Sequence, residues 1–196
     1  MTKAEEKKAV RAEVRRAERA LEDDYLVQSG EAVVRRLLTM PEYREAGTVF
    51  CFVGTGREID TRPLLSDALA RGKTLCVPLC SGDGVMELRR LCRLEALAPG
   101  AYGIPEPPAD SVRISPDAVD LAVIPCLACS RSGARLGRGG GYYDRFLASY
   151  RAPAVLVCRE RLVRQELPVE PHDLPVPLVL TERGLFEDGE PVRAEA

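Results

Sequence analysis

The sequence predicts an α/β fold in which a mainly parallel sheet carries helices on both faces. Three observations lead there. Four short apolar runs rich in β-formers, at residues 48–53, 74–78, 120–125 and 154–158, read as strands buried on both sides. Segments of helical periodicity stand between them, the alternation that builds parallel sheets. The chain of 196 residues, 45% hydrophobic and 30% charged, is long enough to bury a sizeable core. No repeat or low-complexity linker divides it, so residues 1–196 are expected to form a single domain.

The first element is an amphipathic helix over residues 3–22, with Val10, Val14, Ala17 and Leu21 on one apolar stripe. A second helix is predicted over 24–39, carrying Leu26, Val33, Val34, Leu37 and Leu38; Pro41 should end it, and Gly30 weakens its first half. The strand at 48–53 follows. Glu58-Ile59-Asp60-Thr61 then leads into a helix with Pro63 in its first turn and Gly72 just past its end. After the strand at 74–78, residues 85–91 predict a more exposed one. The proline- and glycine-rich stretch 98–116 reads as a long loop. The strand at 120–125 gives way to an irregular segment through Arg138, and a helix should run from about Gly141 to Tyr150. Strands at 154–158 and 177–181 complete the pattern.

Charge and composition exclude several classes. The balance of 28 basic against 30 acidic residues offers no bulk attraction for nucleic acid or an anionic membrane. No apolar run approaches the ~18–20 residues of a membrane span. The N-terminal MTKAEEKKAV lacks the apolar core of a signal peptide, so a cytoplasmic location is expected. Seven cysteines, an odd number, argue for reduced thiols, most serving as small hydrophobes. Cys126 and Cys129 have C-x-x-C spacing, but zinc needs further ligands and His172 is the sole histidine. Structural filler is the favoured reading, with a redox dithiol as the alternative.

The chemistry concentrates in Arg135-Leu136-Gly137-Arg138-Gly139-Gly140-Gly141-Tyr142-Tyr143-Asp144-Arg145, after a buried strand and at the start of a helix. Glycines let backbone N–H groups approach an anion, and the helix N-terminus favours negative charge. Arg135 and Arg138 supply charge-assisted donors for phosphates. Asp144 offers a carboxylate to a hard divalent cation beside them. The dinucleotide fingerprint G-x-G-x-x-G fails, since its third glycine falls on Tyr142 or Asp144. Arg71-Gly72-Lys73-Thr74 is no Walker A ending either, because it closes a helix. Lys7, Arg11 and Arg15 follow at i, i+4, i+8 on the first helix. Like charges so spaced cost about a few tenths of a kcal/mol per pair, which an anion from elsewhere in the fold would offset. A solvated face is the plainer alternative.

RLGRGGGYYDR resembles the signature of the 5-formyltetrahydrofolate cyclo-ligase (methenyltetrahydrofolate synthetase) family. The basic helix around Lys7-Lys8-Ala9-Val10-Arg11, Glu58-Ile59-Asp60-Thr61, Tyr102-Gly103-Ile104-Pro105-Glu106-Pro107, residues 120–125, His172-Asp173 and Thr181-Glu182 extend the likeness in family order. The resemblance implies a three-layer α/β/α sandwich with a mainly parallel sheet, like the sugar-phosphate isomerases and CoA transferases. It also implies ATP- and Mg²⁺-dependent closure of 5-formyltetrahydrofolate, which can be polyglutamylated, to 5,10-methenyltetrahydrofolate, with ADP and phosphate released. Phosphorylation makes the formyl oxygen a good leaving group, and such transfer mainly needs positioning and charge neutralisation.

By the same resemblance, Lys7, Lys8 and Arg11 join residues 135–143 as ATP contacts. Val53 and Glu58 face folate, together with Arg138, Gly139, Gly140, Gly141 and Tyr142. Arg138, Tyr142 and Asp144 carry catalysis, Asp144 and Asp173 hold Mg²⁺, and His172 is a neighbour of that metal. A monomer is expected, with no nucleic-acid partner. Two positions depart from the family: Gly140 where some members carry lysine, and Cys129 where phenylalanine is expected. The alternative is a catalytically silent relative that binds folate or RNA.

Overall fold

The computed structural model describes residues 2–80, 84–171 and 173–192, apart from the side chain of Tyr102. Helix α1 (Lys3–Arg19) begins at a capping box, in which Thr2 Oγ1 accepts from the Glu5 amide and Glu5 Oε2 from the Thr2 amide. It ends earlier than the periodicity suggests, with Leu21 packed just beyond it. Helix α2 (Asp23–Thr39) runs unbroken through Gly30, which is buried beside the Arg159 guanidinium. Pro41 does not merely stop it. Fixed φ and a missing N–H suit the first turn of a helix, and Pro41 opens α3 (Pro41–Glu45).

Strand β1 (Thr48–Cys51), helix α4 (Arg62–Ala70), strand β2 (Thr74–Cys80) and the more exposed strand β3 (Met86–Arg90) follow as read. The stretch expected as a long loop holds three two-residue strands, β4 (Ala98–Pro99), β5 (Pro105–Glu106) and β6 (Arg113–Ile114). After β7 (Leu121–Pro125), the irregular segment contains the ladder of β8 (Ala128–Cys129) with β9 (Arg135–Leu136). Helix α5 (Tyr142–Ser149), strand β10 (Ala154–Val157) and strand β11 (Leu178–Leu180) stand where predicted. Two strands lie beyond the predicted pattern, β12 (Leu185–Glu187) and β13 (Glu190–Pro191).

The nine-stranded sheet has the order β13-β12-β11-β10-β7-β1-β2-β3-β6. Its centre, from β11 to β2, is parallel throughout, and the outer pairs are antiparallel. Alternation along each central strand sorts the core into two layers. Val49, Cys51, Leu75, Val77, Leu121 and Val123 face α2, α3 and α4. Phe50, Cys76, Ala122, Ile124 and Leu156 face α1 and α5. The result is the expected three-layer α/β/α sandwich. Phe146 fastens α5 to the sheet, its ring 5.0 Å from Phe50 and 4.9 Å from Tyr150, contacts worth about 0.5–1.5 kcal/mol each beyond area burial. Among the described residues, no helix is long and apolar enough to cross a membrane.

Candidate active site

From β1 the chain crosses by α4 on one face to β2; from β7 it crosses by α5 on the other face to β10. The strand order therefore reverses between β1 and β7, and the crevice at their carboxyl ends is where such sheets bind ligands. A cavity of about 600 Å³ opens there. Phe52 and Val53 after β1, Pro78 and Cys80 of β2, Pro125 at the end of β7 and Cys126 just after it form its wall. Helix α1 borders it with Ala4, Lys7 and Arg11, and the whole run 135–144 lines it with Glu58, Glu170 and Asp173.

The glycine-rich turn has a physical reason for its composition. Gly141 caps α5 at φ 70°, a left-handed conformation, and a Cβ there would stand 3.0 Å from Arg145 Nη1. At Gly137 a Cβ would meet Arg135 Nη1 at 2.7 Å, so a larger residue would push that guanidinium aside. Arg145 then ties the turn down, donating to Gly84 O and Gly140 O at 2.8 Å each.

The site is organised as cation–carboxylate pairs. Lys7, 6% exposed, places Nζ 2.6 Å from Glu170 Oε2 and 2.5 Å from Asp173 Oδ2. Burial alone would lower its ammonium pKa; the hydrogen bonds to Asp173 and Glu170 outweigh that and raise it. Arg135 pairs with Asp144 and lies over the Tyr143 ring. Arg138 donates twice to Glu58 Oε1, at 2.9 and 3.1 Å, while the Thr55 amide holds Glu58 Oε2 at 3.0 Å. Arg11 Nε reaches Gly137 O at 3.0 Å, joining α1 to the turn. Desolvation drives the Tyr143 phenol well above its ordinary range, so it stays protonated.

Nearly all the residues predicted for the site thus converge on one cavity. Lys8 is the exception: it is exposed on α1 and does not line the cavity, because its neighbour Lys7 takes the inward position. Arg15 is exposed too, with Nη2 3.5 Å from Arg138 O. His172 lies outside the described residues. Sequence reasoning missed Glu170, Glu106 and Thr55. Glu106 lines the cavity and braces it, accepting from the Cys80 and Ala101 amides at 3.0 and 3.2 Å. It stood within the Tyr102–Pro107 stretch with no role attached. Only the fold brings Glu170 to Lys7.

These residues suit a magnesium nucleotide. Arg135 Nε is buried and makes no hydrogen bond among the described residues, so a donor remains for an acceptor such as a phosphate oxygen. Asp144 and Asp173 provide two carboxylates, as many as Mg²⁺ usually takes when phosphates and waters complete its shell.

A parallel-centred α/β sandwich with a switch-point cavity, a glycine turn and cation–carboxylate pairs defines an enzyme for small anionic substrates. Residues 3–182 match the model of the 5-formyltetrahydrofolate cyclo-ligase family, and the chain belongs to that family. It is 30% identical over 181 residues to the 5-formyltetrahydrofolate cyclo-ligase of Escherichia coli (strain K12), covering 89% of this chain and 99% of that protein. Identity to the Mycolicibacterium smegmatis cyclo-ligase is 33% over 171 residues, 81% of this chain and 86% of the relative. The solution structure of Aquifex aeolicus 5,10-methenyltetrahydrofolate synthetase superposes with a TM-score of 0.84 at 29% identity, covering 97% of this chain and 96% of that one.

Proposed function

We propose that this chain closes the ring of 5-formyltetrahydrofolate to give 5,10-methenyltetrahydrofolate, consuming ATP with Mg²⁺ and releasing ADP and phosphate. One observation carries the reading: Lys7 and Arg11 of α1 meet residues 135–144 across the switch-point cavity. The formyl oxygen attacks the γ-phosphorus and the bond to ADP breaks. N10 then attacks the activated formyl carbon, phosphate departs with the oxygen, and the N10 proton is lost.

The chain's own residues divide this work. Arg135, Lys7 and Arg11 grip phosphate oxygens, exchanging their internal acceptors for those of the nucleotide. That exchange frees Asp144 and Asp173, the donors that would hold Mg²⁺. When bound, Mg²⁺ supplies charge neutralisation at the transferring phosphoryl group. Glu58 turns a carboxylate to the cavity, where the amino-pyrimidine edge of a pterin offers two parallel donors, and Phe52 and Val53 form the apolar wall beside it. Arg138 and Tyr142 sit between the two substrates and orient the reacting atoms.

The test is an assay with ATP, Mg²⁺ and 5-formyltetrahydrofolate. The near-ultraviolet absorbance of methenyltetrahydrofolate should grow only when all three are present. Well-folded protein that yields no such absorbance overturns the proposal.

A further inference from the structure

Cys126 and Cys158 emerge side by side. They follow Pro125 and Val157, which are register partners on the adjacent parallel strands β7 and β10. Cys129, on β8, folds back toward them. All three sulfurs lie within 4.8 Å of one another. Around a soft cation with bonds of about 2.3 Å, three thiolate sulfurs stand roughly 3.8–4.0 Å apart, so little movement would close the triangle. A disulfide would use two of them and leave the third unused.

We propose that Cys126, Cys129 and Cys158 form a three-thiolate site for one soft d¹⁰ cation, Cu(I) or Zn²⁺, on the wall of the cavity. Among the described residues this is the only group of three or more potential ligand side chains so close together. Thiolate donors select such soft or borderline ions over Mg²⁺. Cys126 lines the cavity, whereas Cys129 and Cys158 are buried behind it. A fourth ligand, where the ion needs one, would therefore enter from the cavity side as water.

The surroundings suit the negative charge such a centre carries. Arg135 is the register partner of Cys129. Arg159, 5% exposed, donates to Ser29 Oγ, Leu26 O and Glu58 O, and interacts electrostatically with Glu18, Glu182 and Cys158. As protonated thiols the sulfurs have weak backbone partners, with Val157 O 3.5 Å from Cys126 Sγ and Arg159 O 3.4 Å from Cys158 Sγ, besides one another. On binding, each remaining S–H proton leaves to water as its sulfur–metal bond forms. The C-x-x-C pair alone conceals this site, because its third member comes from another strand.

The test titrates reduced full-length protein with Cd²⁺ and reads thiolate-to-cadmium charge-transfer absorption and the bound stoichiometry. One ion per chain is expected. Affinity should fall by at least about tenfold in Cys126→Ala and in Cys158→Ala and stay unchanged in Cys92→Ser, which alters an exposed thiol. Should Cys158→Ala fail to fold, Cys126→Ala at the cavity wall still decides the matter. Competition with chromophoric chelators separates the two ions: Cu(I) retained and Zn²⁺ lost marks a trigonal site, and Zn²⁺ retained marks one completed by water. No charge-transfer absorption, or wild-type affinity in the Cys126 and Cys158 variants, overturns the proposal.

Discussion

Lys7 shows how much of the site depends on a single side chain. Its ammonium is buried between two carboxylates, so Lys7→Met would remove the hydrogen bonds that Glu170 and Asp173 accept from it, leaving Asp173 Oδ2 the Glu170 amide at 2.7 Å. Such a loss costs about 1–3 kcal/mol. The pH dependence has a definite sign. A lysine whose pKa is raised on folding stabilises fully below its unfolded value of 10.5, and the contribution disappears as pH rises through the raised value. Urea unfolding should therefore show a constant gap between wild type and Lys7→Met from neutral pH to about pH 10, closing above it. A gap that closes between neutral pH and about pH 9 would contradict the assignment. Asp144 makes a different demand. Asp144→Asn keeps an acceptor for Arg135 but weakens the hold on a hard cation, so turnover should fall by about a hundredfold with the circular dichroism unchanged. Unaltered Mg²⁺-dependent turnover would remove Asp144 from the metal role.

The turn into α5 shows the same dependence at the level of an element. Gly141→Ala forces an alanine into the left-handed region, at about 1–2 kcal/mol, and pushes its Cβ toward Arg145. Because Arg145 anchors Gly84 O and Gly140 O, the variant should lose more activity than stability. A matched pair of melting and kinetic measurements checks this. The elements legible in the sequence were those long enough to show a period. The central strands and α1, α2, α4 and α5 each present several apolar positions to a defined layer. The two-residue ladders β4–β5 and β8–β9 offer no period to read. Pro41 ended α2 as read, but the same ring suits the first turn of a helix, so the start of α3 there was not legible. The glycine turn was legible from composition as a place where chemistry gathers, and it lines the cavity. Glu170 was not, since a carboxylate in a proline-rich stretch acquires meaning only when a lysine 163 residues away is folded against it.

At the scale of the molecule, a formal charge of −2 hides a cavity whose cations come from opposite ends of the chain. Helix α1 and the turn before α5 meet through Arg11 and Gly137, so a ligand gripped by both would lock two parts of the fold that unfolding must separate. Linkage gives the size of the effect. A nucleotide at about a hundred times its dissociation constant adds about 2.7 kcal/mol, which for a chain of this length raises the melting temperature by roughly 5–11 °C. A non-hydrolysable ATP analogue with Mg²⁺ should produce that shift, and 5-formyltetrahydrofolate should produce its own. Arg11→Ala should shrink the nucleotide shift and leave the folate shift in place, because Arg11 is proposed to grip phosphate and Glu58, which lines the same cavity, to hold the pterin. Equal loss of both shifts would mean that α1 supports the fold of the cavity without gripping phosphate. No shift with either ligand would separate the cavity from the proposed chemistry altogether.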